Sequence, residues 1–390
     1  MKILVLVYLV LLSFYSFSQK INVSVFYNEK VKSIILSTYI GEYEIYEDTN
    51  KVATLSQGKT AMLTAIEDSI ELKLLNSNSK KYKSLKIIGI SANNVIKYKP
   101  VIPSMNQRYY DDDMYITVSD GIINFINHVN IENYVCGVVE SESGYQLPKE
   151  YYKTQAIISR TFTLENIGKH YLEGFNLCDG VHCQVYKGKN YALSYHSIIS
   201  EAVNETKDLV IVDTSGNVIS AAYHANCGGQ TANSEDVWGK ALPYLRSVKD
   251  SFCQYQRKID WDKKISVNDF KLFLESINAK SLINFNPNDW QYSSTIRKPY
   301  IVVKNDTISF RKIREYFQLR SAYFKIIPEK DSILFVGKGF GHGVGLCQDG
   351  AIYMAKNGYN AENIIKYYYK GVSVISYKEL PLYKAIFSIQ

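Results

Sequence analysis

Between residues 20 and 100 the chain falls into short apolar runs: INVSVFY, SIILSTY, GEYEIYE, KVATLSQ, SIELKLLN and LKIIGIS. Each alternates in polarity or is rich in β-branched and aromatic residues, and Gly, Asn and Lys separate them, so the pattern predicts strands. KYKPVIPS reads as a connection. A second β region follows through MYITVSDGIINFINHVNIENYVCGVV, with Asp120-Gly121 as a hairpin turn. Its apolar run is expected to end in a strand-to-helix turn that carries Glu140 and Glu142. Pro148 then opens an amphipathic helix with Gly168 at its exit, and Ala156, Ile157, Thr161 and Leu164 recur at helical spacing.

Further along, Tyr191 to Glu205 predicts a second helix, and DLVIVD with GNVISAAY predicts a hairpin-like strand pair. From 240 to 330 the character changes to charged helix patterns such as VNDFKLFLESINA and strands such as YIVVKNDTISF. ILFVGKGFGHGVGLCQDGAIYMAKNGY then reads as strand, Gly-rich loop and helix, before a last helix (AENIIKYYYK) and strand (VSVISY). The expected class is α+β. Residues 19–105 form a strand-rich N-terminal unit, 106–239 and 331–390 are two parts of a mixed α/β core, and 240–330 is an inserted lobe.

The first 18 residues change the compartment. Lys2, the apolar stretch Ile3 to Leu12 and the small residues Ser16 and Ser18 have the layout of a secretory signal peptide covering 1–18, too short in its apolar part for a membrane span. The expected location is outside the cytoplasm, in the periplasm or cell envelope. A composition with 46% hydrophobic residues argues against disorder, and a net charge of +7 suits an anionic polymer such as a cell wall. The export signal and the lack of a basic cluster beyond Lys80, Lys81 and Lys83 disfavour nucleic acid as a partner.

Four islands carry candidate chemistry. The first holds Glu140 and Glu142; one partly buried carboxyl with a raised pKa is what glycosidic bond cleavage needs. The second runs from Cys178 to Gly188, the third from Tyr223 to Gly239, where His224 precedes the Gly228-Gly229 turn, and the fourth from Gly337 to Ala351. The fourth lacks the Lys-Ser/Thr of a phosphate loop; its glycines let backbone approach closely around His342, and Gln348 begins the next helix. There His342 would donate to a sugar hydroxyl or position Glu142, or simply sit satisfied in a tight turn. Six cysteines in an exported chain leave two readings open: a structural zinc ion around Cys178, His182 and Cys183, or disulfides among Cys178, Cys183, Cys227 and Cys253. Cys136 reads as a buried small hydrophobe.

Together, YVCGVVESES followed by KTQAIISRTF, HCQVYKG, YHANCGG followed by Trp238 and PYLRSV, and GFGHGVGLCQDGA resemble the SpoIID/LytB family, in the family's order. The resemblance implies an exported peptidoglycan lytic transglycosylase that cleaves glycan strands with one glutamate and leaves anhydro-muramic ends. The family's glutamate ends a GVV-x-S-E run, which places it at Glu142. The same motifs supply Gln184, Tyr186, His224, Gly228, Gly229, His342 and Gln348 as candidate sugar-binding residues, and Gln155 and Arg160 as residues that either support the acid's loop or bind sugar. Some members bind zinc before the QVY motif; here Cys178, His182 and Cys183 match, with His170 as a fourth ligand. No organic cofactor is implied. Met and Pro often follow the family's glutamate, whereas Ser143 and Gly144 stand here, which implies a differently shaped loop. Two rival readings are a non-catalytic wall-binding module that stimulates an amidase, and a metal-dependent hydrolase built on His224, His182 and the cysteines.

Overall fold

The computed structural model describes residues 19–75, 77–191, 195–279, 282, 286–304 and 306–381. The signal peptide expected over 1–18 lies outside them. Among the described residues no helix is long and apolar enough to cross a membrane.

The class is α+β. The N-terminal strands build two sheets. One has seven strands, in the order Leu177–Cys178, Lys20–Val25, Ile122–Asn130, Asp113–Ser119, Ser84–Gly89, Tyr43–Glu47 and Asn50–Leu55. The other has six, in the order Arg108–Asp111, Val95–Ile102, Ser33–Ile40, Thr60–Ile66, Ser69–Leu74 and Lys80–Tyr82. Their alternating residues, among them Val23, Ile45, Phe125, Ile34, Leu63 and Tyr98, meet in one apolar core. Both sheets run past residue 105, so the strands up to Asn130 and the 19–105 stretch form one hydrogen-bonded layer system. Asp120 and Gly121 both take positive φ (53° and 68°), as a two-residue hairpin turn requires.

The stretch from Ile131 differs from its sequence reading. Ile131–Ser143 is a helix, α1, not a strand with a following turn. The Asn130 side chain caps it by accepting from Glu132 N at 2.8 Å, and Gly144 ends it at φ 74°. Pro148 precedes the second helix, α2 (Lys149–Glu165), which ends before Gly168. The third helix, α3, covers His196–Glu205. All three contribute to the same core as the sheets.

A second apolar cluster, from Trp261 to Phe335, is separate. It packs Phe270, Phe273, Trp290, Phe317 and Phe335 around the three-stranded sheet Asp260–Ser266, Ser332–Lys338 and Phe324–Pro328. Its limits do not coincide with 240–330: Leu245 and Cys253 belong to the first core, and Ser332–Lys338 belongs to the second. The next residues, Gly339 to Val344, run back to the first core against the Tyr223–Cys227 segment.

Candidate active site

The site is assembled at the C-terminal end of α1. At 3.6 residues per turn, side chains two apart point about 200° away from each other. Glu140 and Glu142 therefore face different surroundings. Glu140 takes Asn190 N at 2.6 Å and pairs with His196. Ser141 takes Lys187 N at 3.1 Å, and Glu142 Oε1 takes Val185 N at 2.8 Å. Three successive side chains of α1 thus hold the 185–190 strand-like segment. The approach is close: a Cβ on Gly137 would lie 2.5 Å from the Tyr186 ring.

Glu142 is half-buried, and burial raises its carboxyl above the usual carboxylate range. The Val185 N–H and the Tyr223 hydroxyl, both hydrogen-bonded to the carboxylate, pull it partly back. Among the described residues no cation pairs with it. The carboxyl faces a cleft of about 410 Å³, whose walls include Val185, Tyr223, Trp238, Lys169 and His342. The indole of Trp238 is 43% exposed and packs 5.3 Å from the His342 ring.

His342 lines that cleft but its ring is committed. Nδ1 accepts from Val344 N at 3.1 Å, so Nε2 carries the proton and donates to Tyr223 O at 2.9 Å. Burial lowers its pKa to about 4, so it is neutral at neutral pH. It anchors the Tyr223 backbone and does not itself reach Glu142. Gly341 (φ 109°) permits this, since a Cβ there would lie 2.9 Å from His224 Cβ.

The other candidate residues divide by burial. Arg160 is 0% exposed; its Nε donates to Glu132 at 2.9 Å and its Nη1 to Leu209 O at 3.0 Å. Tyr186 is sealed with its hydroxyl on Asn127 Oδ1 at 2.9 Å, and Gln184 is sealed among Tyr134, Ser159 and Thr163. His224 is 4% exposed, with Nδ1 on Val344 O at 3.1 Å. Gly228 and Gly229 take positive φ where the chain passes Lys338 and Gln254. Arg160, Tyr186, Gln184 and His224 are too buried for a glycan strand to reach, which corrects their reading as sugar contacts. Gln155 is buried as well; half-buried Gln348 lies 3.5 Å from both Gln155 Oε1 and the carbonyl of Glu142, so the pair props the end of α1. Tyr223 and Trp238, which the sequence motifs include without giving them a role, also line the cleft. Strand alternation gave the signal for Tyr223, because it must face opposite to His224.

His170, Cys178, His182 and Cys183 come together with one donor atom from each within 4.8 Å of all the others. His170 Nε2 lies 3.4 Å from Cys183 Sγ, and its Nδ1 lies 2.5 Å from Glu173 Oε1, the outer carboxylate common behind a ligating histidine. Two thiols and two imidazoles suit tetrahedral zinc. Cys227, Cys253 and Cys347 lie in a different cluster, so a disulfide joining 178 or 183 to 227 or 253 is not compatible with this arrangement.

A family model described as SpoIID, stage II sporulation protein, matches residues 119–212. Stage II sporulation protein D of Bacillus subtilis is 31% identical over 265 residues, covering 64% of this chain and 75% of that protein. The chain belongs to the SpoIID family. An uncharacterised protein of Brachyspira hyodysenteriae is 33% identical over 309 residues, 75% of this chain and 81% of its own length. An amidase enhancer of Bacillus subtilis is 24% identical over 303 residues, 62% of this chain but 40% of its own length. The SpoIID match spans α1, α2 and α3, hence both the Glu142 carboxyl and the His170 cluster, and stops short of Tyr223 and His342.

Proposed function

We propose that this SpoIID-family chain is an exported lytic transglycosylase of the cell envelope, which cleaves peptidoglycan glycan strands between N-acetylmuramic acid and N-acetylglucosamine. The observation that carries the reading is the unpaired, burial-raised carboxyl of Glu142 on the wall of an open cleft. A protonated Glu142 gives its hydrogen to the glycosidic oxygen as the bond to the muramic C1 breaks. The carboxylate left behind is held by the Val185 N–H and the Tyr223 hydroxyl. It then takes the proton of the muramic 6-hydroxyl as that oxygen closes on C1. The proton count balances and no water enters, so one carboxyl suffices where hydrolases use two. Trp238 offers an exposed aromatic face for a sugar ring beside the acid.

Zinc, held by His170, Cys178, His182 and Cys183, would be structural: such a thiolate-rich set closes the first shell. It would fix the 178–183 loop, whose Val181, His182 and Cys183 form one rim of the cleft. The test of the main reading is digestion of purified sacculi. Wild type is expected to release anhydro-muramic ends and Glu142→Gln is not; equal release by both contradicts it. The amidase-enhancer relative favours a second reading, a wall-binding partner of an amidase. That reading predicts sacculus binding unchanged by Glu142→Gln and cleavage only when an amidase is added.

A further inference from the structure

A second group of potential ligands lies apart from His170 and its neighbours. Cys227, Asp250, Cys253 and Cys347 bring one donor atom each within 4.8 Å of all the others. All four residues are 0% exposed. Cys227 Sγ lies 3.5 Å from Cys253 Sγ and 3.2 Å from Asp250 Oδ2. Tetrahedral zinc, with Zn–S of about 2.3 Å, spaces its sulfurs about 3.8 Å apart, so the cluster is near the size one ion demands. It is too tight for an iron–sulfur cluster, whose thiolates stand around several metal atoms.

The surroundings are built for thiolates and a carboxylate. The Cys227 N–H donates to Cys347 Sγ at 3.2 Å, and the Cys253 N–H donates to Asp250 Oδ1 at 3.3 Å. Tyr368 donates to Asp250 Oδ2 at 2.9 Å, the kind of outer hydrogen bond that orients a ligating carboxylate. Gly350 leaves the room: a Cβ there would lie 2.0 Å from the Tyr368 hydroxyl and 2.5 Å from Asp250 Oδ2. Among the described residues no ammonium or guanidinium forms an ion pair with Asp250, yet a buried carboxylate needs a positive partner. A Cys227–Cys253 disulfide would answer none of this and would strand the third thiol.

We propose that Cys227, Cys253, Cys347 and Asp250 form a closed, structural zinc site. Its place gives it a task. Cys227 belongs to the HANCGG loop and Cys347 to the GLCQDGA segment, and Tyr223–His224 pairs in parallel with Leu346–Cys347. The ion would staple the strand bearing Tyr223 to the segment bearing Gln348, and both to the Cys253 turn.

The test is native mass spectrometry of the full mature chain carrying Cys178→Ser and Cys183→Ser, which removes the thiols of the other cluster. One zinc per chain is expected to remain, and adding Cys347→Ser with Asp250→Asn is expected to remove it. No retained zinc, or zinc that survives those two changes, overturns the proposal. Wild type gives a readout that needs no variant: alkylation of protein prepared without reductant, followed by peptide mapping. Cys227, Cys253 and Cys347 should resist alkylation until chelator is added and then react as three free thiols. A Cys227–Cys253 disulfide, or full reaction before chelation, overturns it equally.

Discussion

The two ends of α1 carry carboxylates in opposite circumstances. Near the N-terminus, Glu132 is gripped by the buried guanidinium of Arg160. One helix length on, among the described residues Glu142 meets a backbone N–H and a tyrosine hydroxyl, and no cation. Of the two, among the described residues, only Glu132 has a cation as a partner. The difference teaches how a single helix serves two surroundings: the paired acid holds α1 to α2, and the other stands on the cleft wall with its pKa raised by burial.

The comparison is sharpest where each acid is disabled. Glu142→Gln should lower release of anhydro ends by roughly 10²- to 10⁴-fold, the usual contribution of a general acid, with sacculus binding retained. Arg160→Ala should destabilise the fold by about 3–5 kcal/mol in denaturant unfolding, because it leaves a partly buried charge unmatched; Glu132→Gln with Arg160→Met should recover much of that. If Arg160→Ala left stability untouched and abolished cleavage, the division between the two ends would be wrong. Gly137→Ala forces Tyr186 and the 185–190 segment off α1 and should cost about 1–3 kcal/mol while loosening the Val185 bond to Glu142.

Two smaller effects probe the proton itself. Tyr223→Phe removes a donor that favours the charged carboxylate, so the alkaline limb of the pH–rate profile should move upward. A downward move would contradict the assignment. For stability, Glu142 is raised in the folded state, so its contribution is intact below the unfolded carboxylate pKa and is lost as pH rises through the folded value. Glu142→Gln should remove that loss. Melting curves between acidic and neutral pH should therefore fall less with rising pH for the variant than for wild type.

Much of this was legible in residues. The hairpin at Asp120-Gly121 follows from its turn chemistry, and α2 from Pro148 and the helical spacing behind it. α1 was not legible, for a physical reason: Tyr134, Val135, Cys136, Gly137, Val138 and Val139 are all buried. A helix covered on every side loses its 3.6-residue period and, being β-branched, reads as a strand. The same cause hid the opposition of Glu140 and Glu142. Arg160 looked like a ligand-binding cation because nothing local reveals that Glu132, 28 residues earlier, neutralises it. The motif around Glu142 was visible, whereas Tyr223 and Trp238 needed the fold to bring them beside it.

The central claim is that one carboxyl, with no water, breaks the glycan strand. Its most direct test is mass spectrometry of fragments from purified sacculi digested in heavy-oxygen water. The account predicts anhydro-muramic ends, lighter by one water than reducing ends, with no heavy oxygen incorporated, and their disappearance with Glu142→Gln. Reducing ends that carry heavy oxygen, or anhydro ends produced undiminished by the variant, would contradict it.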